Sequence, residues 1–123
     1  MSIMKLPDSE LNVMQVLWAL EAPVPRAVVE ERIRQTAPLA QTTILTLLGR
    51  LAEKGFVKAE KRGRSSVYTP LVSRRDYLAS QSRRFFEKIC GGSVSVFASA
   101  LTESGISKDD LAELGRLLEE GRL

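Results

Sequence analysis

The first half of the chain alternates apolar and polar positions at the spacing of short amphipathic helices. A first helix is predicted to begin at Asp8, which is its expected N-cap, and Glu10 favours its first turn. Pro23 and Pro25 end the helical pattern. Its predicted buried face consists of Leu11, Met14, Leu17 and Trp18. A second helix is predicted over about residues 26–35, with buried positions at Val28, Val29 and Ile33.

The third predicted helix, about residues 40–54, has the most regular pattern. One stripe carries its buried positions, which are Ile44, Leu47, Leu48 and Leu51, and Gly55 is its predicted C-cap. Two strands, residues 56–61 and 66–71, then flank a turn at residues 62–65 and predict a hairpin with a basic tip. Three short helices followed by a hairpin predict a winged helix-turn-helix.

The remaining residues are predicted to form three further helices. Ser73 and Asp76 resemble a capping box at the start of a helix that ends at Gly91 and Gly92, and Ser93 and Ser107 are predicted to cap the next two. Helices this short do not bury enough surface to be stable alone, so a second copy of the chain is the expected partner. The apolar residues predicted to form this dimerisation surface are Leu78, Phe85, Phe86, Ile89, Val94, Phe97, Leu101, Leu111, Leu114 and Leu118.

The predicted fold class is therefore mainly α with a small β-hairpin wing. We expect a winged-helix DNA-binding domain over residues 1–72 and a helical dimerisation domain, or arm, over residues 73–123.

Composition excludes several classes of function. The chain has 123 residues, no histidine and a single cysteine, Cys90, so His/Cys zinc sites and histidine-based catalytic triads are excluded. The acidic pairs are adjacent along helices and do not converge, so we predict no enzyme activity, no metal and no cofactor. The lone thiol and the longest uncharged run, 15 residues over 35–49, predict a cytoplasmic protein without membrane insertion.

Positive charge is concentrated where the third helix and the hairpin are predicted. The whole chain carries a net charge of +3, whereas residues 39–75 hold eight basic and two acidic residues. A basic segment of this kind favours a polyanionic partner such as DNA. A solvated basic face without a partner is the alternative.

The outer face of the third helix is short-chained and mostly uncharged, which suits insertion into a DNA major groove. Candidate base contacts are Gln41, Thr42, Thr43, Leu45 and Thr46, and Arg50 lies further along where phosphate is the expected contact. Arg62 and Arg64 at the hairpin tip are placed for phosphate or the minor groove. The alternatives are solvated threonines, a Leu45 that covers the second helix, and a strand edge protected by charge.

Four segments in this order resemble the penicillinase-repressor family (BlaI/MecI/CopY). They are VMQVLW at residues 13–18, TILTLLGRL and EKGFV within residues 43–57, the wing with VYTPLVS at residues 67–73, and GGS at residues 91–93. The match covers about residues 6–118. It implies a homodimeric transcriptional repressor that binds an inverted-repeat operator through the third helix and wing and occludes the promoter. The family's recognition contacts would fall on Thr42, Thr43, Leu45 and Thr46.

The resemblance also implies a partner that releases the repressor, a membrane sensor-peptidase or another signalling protease. The Asn-Phe bond at which such repressors are cleaved is absent, because the only asparagine, Asn12, precedes Val13. The paired cysteines of copper-responsive relatives are absent as well. Cys90 is predicted to be a buried, inert thiol, with a Cys90–Cys90 bond across the dimer as the alternative. A winged-helix scaffold for protein–protein contact, without sequence-specific DNA binding, is the alternative function.

Overall fold

The computed structural model describes residues 3–121. The elements of these residues, in chain order, are α1 (Asp8–Ala19), β1 (Val24–Pro25), α2 (Arg26–Thr36), α3 (Gln41–Glu53), β2 (Val57–Arg62), β3 (Ser65–Pro70), α4 (Arg74–Arg84), α5 (Val94–Glu103) and α6 (Lys108–Glu120). A π-helical turn, Phe85–Ile89, follows α4. The mainly helical fold with a hairpin wing is therefore confirmed.

Helices α1, α2 and α3 pack with the sheet around one apolar core. Its buried members are Leu6, Val13, Met14, Leu17, Val24, Val29, Ile33, Ile44, Leu47, Leu48, Leu51, Phe56, Val57, Tyr68 and Tyr77. All four predicted positions of α3 are buried, because residues three and four apart share one side of a helix. In α1, Met14 and Leu17 are buried as predicted, whereas Leu11 and Trp18 are half-buried at the edge of this core.

Two local predictions in the first helices are wrong. Pro7, not Asp8, is the N-cap of α1: it is extended, its carbonyl accepts from the Leu11 N–H at 2.9 Å, and Asp8 lies in the first turn. A proline fits a helix start because the N–H it lacks has no partner there. Val28 is 42% exposed, because α2 turns Val29 and Ile33 toward the core and Val28 away from it.

The end of α3 is fixed by a Schellman motif. The Phe56 N–H donates to the Leu51 carbonyl at 2.9 Å, and the Gly55 N–H donates to the Ala52 carbonyl at 3.1 Å. The C-cap is Lys54 and not the predicted Gly55. Gly55 is the residue after the C-cap, with φ of 78°. A left-handed residue at that place is most easily a glycine.

The sheet is antiparallel, with the strand order β1-β3-β2. Strands β2 and β3 form the predicted hairpin, and Arg62 pairs with Ser65 across the two-residue connection Gly63-Arg64. Gly63 has φ of 67°, which suits the first position of such a tight turn. The two-residue strand β1 was not predicted, and it pairs Val24 with Tyr68.

The chain divides between Gln81 and Ser82 into two compact units, later than the predicted boundary after residue 72. The reason is Tyr77 of α4, which is buried in the first core. Its hydroxyl accepts from the Leu6 N–H at 2.9 Å, and its ring lies 5.6 Å from that of Trp18, centroid to centroid. The start of α4 thus belongs to the unit that contains α1–α3.

We expect the substitution Tyr77→Phe to lower the free energy of unfolding by about 1–3 kcal/mol. The ring and its packing are retained, but the buried Leu6 N–H loses its acceptor. Urea unfolding followed by tryptophan fluorescence measures the change, with Tyr68→Phe as the matched control. A loss no larger than that of the control would show that the hydroxyl does not tie α4 to the first unit.

The second unit begins helices where the sequence predicts them. The Ser93 hydroxyl accepts from the Val96 N–H at 3.2 Å, and the Ser107 hydroxyl accepts from the Asp110 N–H at 3.0 Å. At the start of α4, in the first unit, Ser73 likewise accepts from the Asp76 N–H at 3.0 Å. These three side-chain caps confirm the predicted starts of the last three helices.

Candidate nucleic-acid interface

The outer face of α3 carries small side chains along a line opposite the buried stripe. At 100° per residue, the small residues Thr42, Thr46 and Gly49 follow one another on this line, the acidic Glu53 ends it, and all four are exposed. Gln41 and Thr43 are exposed beside its N-terminal end. A surface this narrow and flat fits between the walls of a DNA groove.

Thr46 has a fixed orientation on this face. Its hydroxyl donates to the Thr42 carbonyl at 2.9 Å, one turn back in the helix. The hydroxyl proton is therefore used within the helix, and the side chain offers a partner its methyl group and its oxygen as an acceptor. Leu45, which is half-buried at one side of the line, adds further apolar surface.

Gly49 is the one glycine within the continuous helix α3. Apart from its chain neighbours and the backbone of its own helix, no atom lies within 4 Å of the place a Cβ would occupy. The residue is exposed and lies inside α3, away from either end. A glycine at such a position destabilises a helix by roughly 0.5–1 kcal/mol relative to alanine.

Cationic side chains flank this face and occupy the wing. Among residues 3–121, no carboxylate lies within 4.0 Å of Arg50, Arg62 or Arg64, so these guanidinium groups are free to bind an anion. Both wing arginines are exposed, Arg62 at the end of β2 and Arg64 in the turn. Lys58 of β2 instead pairs with Glu60 at 3.2 Å.

An ion pair attaches the end of α3 to α1. The Lys54 ammonium group is hydrogen-bonded to the Glu10 carboxylate, whose side chain is only 3% exposed. A buried carboxylate needs such a partner, because its desolvation is costly. Glu10 was predicted only to favour the first turn of α1; no sequence pattern signals a partner 44 residues away.

The second unit has apolar surface but almost no core of its own. Within its described part, residues 82–121, Cys90 is the one buried side chain. Phe97 stacks edge-on with Phe85 and with Phe86, each at a centroid distance of 5.7 Å.

The predicted dimerisation residues are accordingly exposed or half-buried. The exposed ones are Leu78, Phe85, Ile89, Val94 and Leu118, and the half-buried ones are Phe86, Phe97, Leu101, Leu111 and Leu114. Leu78 belongs to the first unit, apart from the other nine. Three apolar residues that the prediction did not include, Val96, Ile106 and Leu117, are also exposed or half-buried in the second unit.

A groove of about 500 Å³ lies between α1 and α2. Its lining contains one ionisable side chain, Arg32, and so offers no acid–base pair. In residues 3–121, no three metal-ligating side chains cluster, and no helix is both long and apolar enough to cross a bilayer.

A family model described as "Penicillinase repressor" matches residues 6–120. The chain belongs to the penicillinase repressor family. It is 33% identical to the penicillinase repressor of Bacillus licheniformis over 96% of this chain and 92% of that protein. It is 27% identical to the methicillin resistance regulatory protein MecI of Staphylococcus aureus (strain N315) over 94% of each chain.

Solved structures of a repressor match the first part of the chain. The solution structure of the DNA-binding domain of the repressor BlaI is 36% identical in sequence to this chain. The match covers 63% of this chain and 94% of that domain, with a TM-score of 0.55. The monomeric form of B. licheniformis BlaI in complex with the blaP half-operator is also 36% identical, covering 62% of this chain and 92% of that one, with a TM-score of 0.52.

The chain is therefore a DNA-binding transcriptional repressor with a winged-helix domain. This confirms the predicted family, the predicted function class and the prediction that the chain is not an enzyme. It also decides against the alternative of a protein–protein scaffold that does not bind DNA.

Proposed function

We propose that this repressor binds an inverted-repeat operator as a homodimer and represses by occluding the promoter. The observation that carries the proposal is the combination of an exposed, small-residue face on α3 with a second unit that leaves its apolar side chains uncovered. Two copies related by a twofold axis would place two α3 helices in major grooves about 34–36 Å apart or a multiple of that spacing.

The proposed base contacts lie in the first half of α3. Gln41 has the amide that pairs with adenine, while the Thr46 methyl group and Leu45 offer apolar contact to a thymine methyl. Thr42 and Thr43 are proposed to contact bases or phosphates beside them. The free N–H groups at the start of α3 favour a phosphate group of the DNA backbone.

The proposed phosphate contacts are Arg50, Arg62 and Arg64. Their guanidinium groups are exposed and have no carboxylate partner in the described chain, so binding DNA breaks no existing ion pair. Contacts of this kind provide affinity without sequence preference, and each one adds to the salt dependence of binding.

We expect the double substitution Arg62→Ala/Arg64→Ala to lower operator affinity about 10- to 100-fold at moderate salt. The slope of log affinity against log salt concentration should become shallower by about 2, because two phosphate contacts are lost. Fluorescence anisotropy at four salt concentrations measures both quantities. Arg83→Ala/Arg84→Ala, which changes the net charge equally outside the wing, is the matched control, and equal slopes for the two variants would contradict the wing contacts.

The proposed location of the repressor is the cytoplasm, where operator DNA is accessible.

A signalling protease is the proposed second partner. The stretch Ser99–Thr102, which corresponds to the cleavage region of such repressors, lies within α5. Release by cleavage there would require α5 to open, because proteolysis acts on exposed, flexible chain.

A further inference from the structure

Gly49 has none of the usual internal reasons to be a glycine. Its φ is not in the left-handed region, so the backbone conformation at this point of α3 does not require a glycine. No other part of the described chain approaches the place of a missing Cβ within 4 Å. It is not the residue that ends the helix, since Gly55 does that. What remains among the uses of glycine is the close approach of a partner to the backbone.

The position of Gly49 along α3 indicates which part of the DNA approaches it. Gly49 lies seven residues after Thr42 on the same outer line, a distance of about 10 Å along the axis. A recognition helix contacts base edges through its N-terminal residues, so a residue two turns further along the outer line is expected to meet the sugar–phosphate backbone. The neighbouring side chain is Arg50, whose exposed guanidinium suits a phosphate of that backbone.

We propose that the sugar–phosphate backbone of the operator packs directly against the α3 backbone at Gly49, so that this glycine sets how deeply the recognition helix enters the groove. The inference rests on the proposed operator contacts of α3. Gly49 is thus a positioning residue: it makes no base contact itself, and it allows Thr42 and Thr46 to reach the bases and Arg50 to reach a phosphate. Any Cβ at this place lifts the helix out of the groove.

The substitution Gly49→Ala separates this role from a structural one, because its effects on folding and on binding have opposite signs. In the free protein, alanine raises the midpoint of thermal unfolding by about 2–8 °C, since it favours the helix and meets no neighbour. On DNA, the same methyl group lowers affinity at least tenfold, and the larger side chain of Gly49→Val lowers it further.

The probe is a half-site duplex obtained by selecting random-sequence DNA with the unaltered repressor. A half-site removes any contribution of dimerisation to the measured affinity. Gly115→Ala is the matched control, because Gly115 is also an exposed glycine inside a helix, α6, with nothing within 4 Å of its missing Cβ. It should raise the unfolding midpoint of its own unit and leave half-site affinity within twofold.

Three outcomes decide the matter. A Gly49→Ala repressor that is more stable and binds at least tenfold more weakly, beside an unaffected Gly115→Ala control, supports the inference. Half-site affinity within twofold of the unaltered repressor overturns the inference alone and leaves the operator proposal intact. If the unaltered repressor selects no sequence, the operator proposal and the inference both fall.

Discussion

The substitution Lys54→Met is expected to lower the free energy of unfolding of the first unit by about 2–4 kcal/mol. Methionine keeps the length of the side chain and its apolar contacts, but the Glu10 carboxylate, 3% exposed, loses its cation. A charge left buried without a partner is costly, whereas the partial exposure of Lys54 lets water relieve some of that cost. The unfolding midpoint should fall by roughly 10–20 °C for a unit of this size.

Two companions make this result specific to the buried pair. Lys58→Met breaks the exposed pair with Glu60 and should change the free energy of unfolding by less than about 1 kcal/mol. The double variant Glu10→Gln/Lys54→Met should recover much of the loss, since it removes both charges at once. A Lys54→Met protein as stable as the Lys58→Met protein would refute the importance of the pair.

The double substitution Ile89→Lys/Leu118→Lys is expected to convert the repressor to a monomer and to lower its affinity for a full operator about 100-fold or more. Both side chains are more than half exposed, at 72% and 56%, so lysine does not disturb the fold of a single chain. It does place charges in the proposed interface, where each must be desolvated. Loss of the second half-site removes the gain that comes from linking two binding events.

Half-site affinity provides the internal check, because it should stay unchanged or rise with the two added positive charges. The control Glu113→Gln/Glu119→Gln changes the net charge by the same amount on exposed positions of α6 and should remain dimeric. Sedimentation velocity measures the association state, and anisotropy on half and full operators measures binding. A variant that sediments as the unaltered repressor does would exclude these residues from the interface.

Periodicity predicted those parts of the fold that depend on local sequence. The stripe Ile44, Leu47, Leu48 and Leu51 identified α3 because a helix repeats every 3.6 residues, and no other element gives that pattern. Ser93 and Ser107 identified helix starts because their hydroxyls bond within three residues along the chain. The exposed outer face of α3, where the DNA contacts are proposed, followed from the same helical wheel as the positions left outside the buried stripe.

Features that depend on distant residues were missed. The Glu10–Lys54 pair and the Leu6–Tyr77 hydrogen bond join positions far apart in the chain, so no local pattern announces them. The bond to Tyr77 is also why the first unit extends further than predicted. Strand β1 has two residues, one of them Pro25, and exists only because β3 pairs with it.

The π-helical turn at Phe85–Ile89 was not predicted because its signal resembles that of a continuing α-helix. Apolar residues at Phe85, Phe86 and Ile89 fit either geometry. The distinction lies in the hydrogen bonds: the Cys90 N–H donates five residues back, to the Phe85 carbonyl at 3.0 Å. Such turns are rare, so the common helix is the prediction that a sequence pattern favours.

The sheet of the first unit has two outer edges, and each is unsuited to receive a strand from another molecule. One edge is β1, two residues long with a proline that has no N–H to donate. The other is β2, in which Lys58, Lys61 and Arg62 are exposed; Lys58 pairs with Glu60 of the same strand, which leaves Lys61 and Arg62 as the excess positive charge. Like charges of this kind repel a second copy of the same edge. Pairing between the strands of two copies is thereby disfavoured at both edges, which agrees with the proposal that copies associate through helices of the second unit.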